Sequence, residues 1–239
     1  LCAVNDKDLV HDPMMQITHV KRRSPLGVLH SAQAGFTLIE LMAVMVILGM
    51  LAFFLLRGAM GAEETVRVNS TRSYLKQLSA LIDNHETDAG DYPLSSFPRT
   101  LDPKPSATNM GGEMLVISLW PKDGLRASAP DEDRLINSDG DQTSQSHTMF
   151  TAATSFELAD DWGNPIAYFH RRDYDEPCTY VTLDEDGYEE ETRVQALMNP
   201  VTGDPYNKTS FQLLSSGLDG IFGTDDDLGN FKIQEAQAP

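Results

Sequence analysis

Residues 35–56 read GFTLIELMAVMVILGMLAFFLL, and the fold turns on how this stretch is understood. From Phe36 to Leu56 a single charged residue, Glu40, interrupts 21 residues that lack Lys and Arg. At about 1.5 Å per residue such a helix is roughly 30 Å long, the thickness of the hydrocarbon core of a bilayer. The stretch is therefore predicted to span. Lys21, Arg22 and Arg23 precede it and most of the acidic residues follow it, which predicts a cytoplasmic N-terminus and an external C-terminal part. A secretory signal peptide would have a shorter apolar stretch and a small-residue cleavage site. Here Arg57 and a charged, helix-compatible segment follow, favouring retention. Glu40 is costly inside lipid unless it is paired; the alternative is that it snorkels to the headgroups.

Working outward, the 239 residues suit one small domain with additional segments. Hydrophobic residues make up 41% of the chain, with a large share in this one run, so the remainder is polar. The formal charge of −18 argues against nucleic acid as a partner, because phosphate binding requires clustered Lys and Arg. Of the two cysteines, Cys2 lies upstream of the run; without it Cys178 is a free thiol suited to packing. The chain opens on Leu1, and Met14 or Met15 is a plausible start, so residues 1–13 are set aside as possibly untranslated.

From Gly61 to about Glu86 the pattern is amphipathic: Val68, Leu75, Leu78, Ile82 and His85 recur at helical spacings, with Leu81 beside them. A continuous helix of about 50 residues, roughly 75 Å long, is expected, with Gly58 and Gly61 as its weak points. Asp88 to Pro93 carries the turn chemistry that ends it. Residues 94–155 contain five prolines between Pro98 and Pro130 and a polar tract at 137–148, and read as loops and short elements. Within them, Met114–Leu119 suits a short strand or a buried helical turn. Strands are expected near Ile166–Tyr168, Thr179–Val181 and Ser210–Leu214.

The block from Ser215 to Asn230 concentrates glycines and aspartates, and several carboxylates in one loop repel each other unless a cation sits among them. Oxygen ligands suit calcium, although the spacing is not that of an EF-hand. By composition alone a solvated acidic turn is the simpler reading. Asp139-Gly140-Asp141 and Asp184-Glu185-Asp186-Gly187 also contain calcium-friendly pairs but lack enough spaced oxygens, and nothing is assigned to them.

Gly35, followed by Phe36-Thr37-Leu38-Ile39-Glu40 and the apolar run, resembles the signal of type IV prepilins and type II secretion pseudopilins. That resemblance implies an α+β, pilin-like fold in which a long N-terminal helix packs on a small antiparallel sheet. It implies cleavage after Gly35 by a prepilin peptidase that also methylates the new terminus, Phe36. Glu40, fifth after the cut, would neutralise the terminal amine of a neighbouring subunit. The expected layout is a leader at 1–35, a membrane and filament-core helix at 36–56, an amphipathic helix at 57–88, and a periplasmic globular domain at 89–239 with an insertion at about 94–155. Relatives often carry a proline where Arg57 stands. Asp161-Trp162-Gly163-Asn164-Pro165 and the Ser215–Asn230 loop are similar to segments of the major pseudopilin. The likeness implies a calcium site with side chains of Asp219, Asp226 and Asp227 and backbone carbonyls of Ser216, Ile221 and Thr224.

The implied function is a structural subunit of a type II secretion pseudopilus, anchored in the inner membrane before assembly. Its implied partners are lipid, other pseudopilins, the peptidase and the inner-membrane secretion platform. A pilin for adhesion or motility, and a tip subunit that binds exoprotein through residues 94–155, are the alternatives within the filament class. A membrane-tethered hydrolase is disfavoured: His85, His147 and His170 form no zinc-binding pair, and no serine lies in Gly-x-Ser-x-Gly.

Overall fold

The long helix α1, Leu38–Ala89, begins the ordered elements in a computed structural model that describes residues 35–124 and 127–233, with no side chains described for 55–62. Residues 1–34 of the expected leader at 1–35, Cys2 among them, lie outside the described residues. No proline occurs between Leu38 and Ala89, and the backbone stays helical through Gly58 and Gly61. At its start the N–H and hydroxyl of Thr37 each donate to Glu40 Oε2 at 2.8 Å, while Thr37 Oγ1 accepts from the Glu40 N–H at 3.3 Å. This reciprocal capping box satisfies donors that the first helical turn leaves free. At its end Gly90 takes φ 82° and donates to the Glu86 carbonyl at 2.8 Å, a glycine stop that a residue with a Cβ adopts only under strain. Tyr92 and Pro93 follow, as the sequence predicts.

The chain divides into two units, residues 1–51 and 52–239. In the first, the apolar side chains from Phe36 to Leu51 are exposed. In the second, the later part of α1 buries Thr71, Tyr74, Leu75, Leu78 and Ile82, with Val68 and Leu81 partly covered. These positions are three and four residues apart and form one stripe. The stripe packs on α2 (Met110–Leu119) and on the three-stranded antiparallel sheet β3 (Ala167–His170), β6 (Phe211–Ser215) and β7 (Leu228–Gly229), ordered β3-β6-β7.

Strand alternation gives this sheet two buried faces. Ile166, Tyr168, Phe211 and Leu213 join the cluster with α1, whereas Ala167, Phe169 and Leu214 join a second cluster with Tyr174, Cys178, Tyr180, Val194 and Ala196. The second cluster is roofed by the antiparallel pair β4 (Cys178–Leu183) and β5 (Glu189–Val194), in register from Cys178↔Val194 to Leu183↔Glu189. Cys178 is buried and free, a packing residue whose thiol burial pushes above its ordinary pKa. The fold is α+β, an N-terminal helix followed by small antiparallel sheets.

Segment 94–155 is more structured than its prolines predict. Met114–Leu119, readable as strand or helix, belongs to α2, and Leu115, Val116, Leu119 and Trp120 enter the main core. Trp120 is fully buried and its indole N–H donates to the Ser128 carbonyl at 2.8 Å. A short pair, β1 (Leu135–Ile136) with β2 (Glu157–Leu158), closes this side. Two successive glycines allow α2 to lie against β3. A Cβ on Gly111 would overlap the Tyr168 carbonyl oxygen and crowd the Tyr180 hydroxyl, whereas one on Gly112 would approach the Ile166 carbonyl at 3.3 Å.

Helix propensity alone favours Ala over Gly by about 1 kcal/mol at both positions. Packing reverses the sign at one of them. Gly111→Ala is expected to destabilise by about 1–3 kcal/mol, the usual cost of overpacking, and Gly112→Ala to be close to neutral. Denaturant unfolding of the two variants checks this; equal effects would contradict it.

Candidate functional site

Gly35 and Phe36 stand exposed just ahead of α1. Glu40, read from sequence as a carboxylate awaiting a neighbour's amine, is engaged within its own chain by the Thr37 capping box. The Thr-x-x-Glu spacing was legible and points to this directly. One acceptor atom, Oε2, takes both Thr37 bonds. Of the apolar run 36–56, the last two side chains lie outside the described residues, and among the described residues no helix is long and apolar enough to cross a membrane.

The Asp160–Pro165 turn ties several elements together. Asp161 accepts from Ser70 Oγ at 3.0 Å and Thr71 Oγ1 at 2.8 Å, both on α1, and from Arg134 Nη2 at 3.0 Å. Burial pushes its carboxyl up, but the bonds from Thr71, Arg134 and Ser70 together outweigh burial and hold it below the usual carboxylate range. Asp160 faces the other way, accepting from the Trp162 and Asn164 N–H groups and, at 2.6 Å, from Ser215 Oγ on β6. Burial raises it to about 6 despite these bonds. The Asn164 amide bridges to the backbone of Leu183 on β4 through both its oxygen and its nitrogen. Trp162 is partly buried against the main core. The turn is thus a structural clasp among α1, β4 and β6.

The loop 215–230 is organised around two aspartates. Asp226 Oδ2 accepts from the Leu218 and Asp219 N–H groups at 2.6 and 3.1 Å, and its Oδ1 from Thr224 Oγ1 at 2.5 Å. Burial raises Asp226, but the Thr224 hydroxyl and the two backbone donors more than offset it and leave the group below its ordinary pKa. Gly217, at φ 68°, lies so close that a Cβ would sit 2.5 Å from Asp226 Oδ2. Asp227 Oδ2 accepts from the Gly223 N–H at 2.7 Å, while its Oδ1 and the Ser216 hydroxyl are buried without a hydrogen-bond partner. Burial, with repulsion from Asp226 and Asp219, lifts Asp227 to about 7 against the Gly223 bond. Asp219 Oδ1 caps the Ile221 N–H, and the Thr224 hydroxyl oxygen, whose proton goes to Asp226, lies 3.2 Å from the Ile221 carbonyl. An orphaned, buried carboxylate oxygen beside two like charges fits a hard cation. Asp219, Asp226 and Asp227 do not, however, offer three ligand atoms as close together as Glu113, Asp139 and Glu157 do; among the described residues that trio alone has one carboxylate oxygen from each group within 4.8 Å of the others. The sequence assigned nothing to it.

The three described histidines, His85, His147 and His170, serve the fold. His147 Nε2 is 2.6 Å from the Pro103 carbonyl, and His170 is buried with its Nδ1 accepting from the Arg172 N–H. His85 lies half-buried on the α1 stripe, where burial lowers its pKa.

Comparison with known proteins places the N-terminal class first: the prokaryotic N-terminal methylation motif matches residues 30–56. The N-terminal part is type IV pilin-like, and specifically pseudopilin-like. The type II secretion system core protein G of Pseudomonas aeruginosa is 38% identical over 61 residues, which cover 26% of this chain and 43% of that protein. The match thus spans less than half the length of that relative. No solved structure matches the chain.

The clasp predicts a pH signature. A depressed carboxyl contributes stability that is present above the unfolded pKa of about 3.9 and lost as pH falls through the folded value. Asp161→Asn is therefore expected to destabilise by about 2 kcal/mol at pH 7, with the difference from the parent shrinking below about pH 4. Thermal unfolding across pH checks it; a pH-independent difference would contradict the clasp.

Proposed function

We propose that the chain is a structural, non-enzymatic subunit of a type II secretion pseudopilus that supports protein export. The observation that carries this reading is the Gly35-Phe36 junction with Glu40 and the apolar run behind it, inside the segment matched by the methylation motif. In this reading prepilin peptidase removes residues 1–35 and methylates Phe36. Residues 36–56 anchor the subunit in the inner membrane with its C-terminal part in the periplasm, then pack with those of other pseudopilins at the inner-membrane secretion platform.

The exposed side chains from Phe36 to Phe54 motivate the change of environment. Lipid covers them first and neighbouring subunits later, so apolar area is never left in water. Glu40 can serve in both settings: its capping bonds to Thr37 satisfy it locally, and a carboxylate oxygen retains capacity to receive a neighbour's terminal ammonium.

Calcium belongs to the same proposal. Asp219, Asp226 and Asp227, with the carbonyls of Ser216, Ile221 and Thr224, would hold it in the 215–230 loop. Asp227 Oδ1, buried and unpaired, is the atom that most favours this, and a bound cation would offset the repulsion that raises Asp227. The ion would stiffen the loop rather than take part in chemistry.

Deleting the gene and assaying culture medium tests the function. Loss of extracellular protein with surface pili intact is expected; loss of a retractile pilus with secretion intact would contradict it and favour an adhesion or motility pilin. Glu40→Ala should still be processed at Gly35 yet fail to enter filaments. Filaments assembled normally from that variant would contradict the pairing.

A further inference from the structure

Glu113 on α2, Asp139 in the loop after β1, and Glu157 on β2 come from three separate parts of the chain and meet at one point. Glu113 and Glu157 are both fully buried. Two devices bring them there. The Gly111-Gly112 pair sets α2 close enough that a Cβ on Gly112 would contact the Glu157 side chain at 3.6 Å. Asn109, left-handed at φ 55° ahead of α2, donates its amide to Glu157 Oε1 at 2.7 Å and Ser138 Oγ at 2.8 Å, and accepts from the Val181 N–H.

The polar inventory is unbalanced in one direction. Glu157 has donors in Asn109 and the Ser138 N–H, and Asp139 has them in Ser106 Oγ and the Asp141 N–H. Neither oxygen of Glu113 has a donor, nor does Asp141 Oδ1 or Asn137 Oδ1. Four buried acceptor atoms in one neighbourhood call for positive charge, since each unmet buried acceptor costs about 1–3 kcal/mol and an ionised one more. The strongest charges acting on Glu113 are Asp141, Glu157 and Asp139, all of its own sign. Burial first, then these neighbours, push Glu113 to about 10, and burial pushes Glu157 to about 8.

A cleft of about 470 Å³, lined by Asn137, Asp139 and Asp141 with Glu189 and Glu191 of β5, opens beside the Asp139 and Asp141 side of the cluster. Its acidic lining concentrates cations there.

We propose that Glu113, Asp139 and Glu157 bind one calcium-class divalent cation, with Asp141 as a fourth carboxylate, at a site separate from the 215–230 loop. An all-oxygen donor set without His or Cys selects a hard cation over zinc or copper. Carboxylates fixed by different elements suit calcium's flexible coordination better than the strict octahedron of magnesium. The ion cross-links α2 to the β1-β2 pair and stabilises the folded chain by mass action.

The full chain, purified in detergent and stripped with chelator, is titrated with calcium alone and followed by native mass spectrometry and thermal unfolding. In an Asp227→Asn background, which removes a ligand of the C-terminal loop, one bound ion and a calcium-dependent rise in Tm are expected. Adding Glu113→Gln, which leaves the shape of the side chain unchanged, should weaken this binding about tenfold or more. Asp139→Asn at the half-buried position does the same and covers the case in which Glu113→Gln fails to fold. Binding unchanged in these variants overturns the site. So does an Asp227→Asn chain that takes up no ion and changes stability only with pH, the behaviour of a proton shared between Glu113 and Asp141. An equal ion count in the parent and Asp227→Asn would instead count against the C-terminal loop alone.

Discussion

The apolar side chains from Phe36 to Phe54 stand exposed ahead of and along α1, and water is not a medium in which they can remain. At about 25 cal/mol per Å², the penalty for leaving such a surface uncovered exceeds the net stability of most domains. The rest of the organisation follows from this constraint. Whatever covers the run, its helix has to satisfy its own backbone, and it is unbroken from Leu38 to Ala89. Its first turn leaves backbone donors free, and Thr37 with Glu40 satisfies them. A carboxylate in an apolar run is therefore first a helix cap and only then a candidate for pairing between subunits.

Beyond the run, a chain with 36 Asp and Glu against 18 Lys and Arg has to place many carboxylates without a cation of its own for each. Three solutions coexist. Asp161 is held by two hydroxyls and Arg134, so that it locks α1 to the turn that opens β3. Asp91 receives Arg171 and Arg172 together just beyond the helix stop. Asp226 folds back on backbone N–H groups of its own loop. Glu113 and Asp227 Oδ1 have none of these, and they are where cations are proposed. Buried acceptors that lack a donor separate such places from ordinary acidic loops; counting aspartates does not.

Local pattern carried much of the fold into the sequence. The spacing of Leu75, Leu78 and Ile82, the Gly90-to-Pro93 stop, and the β-rich stretches at β3, β4 and β6 are periodic or punctuated signals that tertiary context did not override. What stayed hidden depends on contacts between distant residues. β5 reads Glu-Glu-Glu-Thr-Arg-Val and pairs with β4 because a turn led by Asp184 and Gly187 sets its register, although its composition disfavours a strand. α2 begins Met-Gly-Gly-Glu, a poor helix by propensity, and exists because small residues let it close on Tyr168. The trio at 113, 139 and 157 has no spacing to read at all. In the 215–230 loop the aspartates were visible, but which of their oxygens lack donors was not.

The central claim is that residues 35 and 36 mark a processing point and that the apolar run stays with the mature subunit. Intact mass and N-terminal sequencing of the protein extracted from membranes of its host test this most directly. The account predicts a chain that begins at N-methylated Phe36 and retains everything after it. A chain that keeps residues upstream of Phe36, or one cut beyond Leu56 as a secretory signal would be, would contradict it.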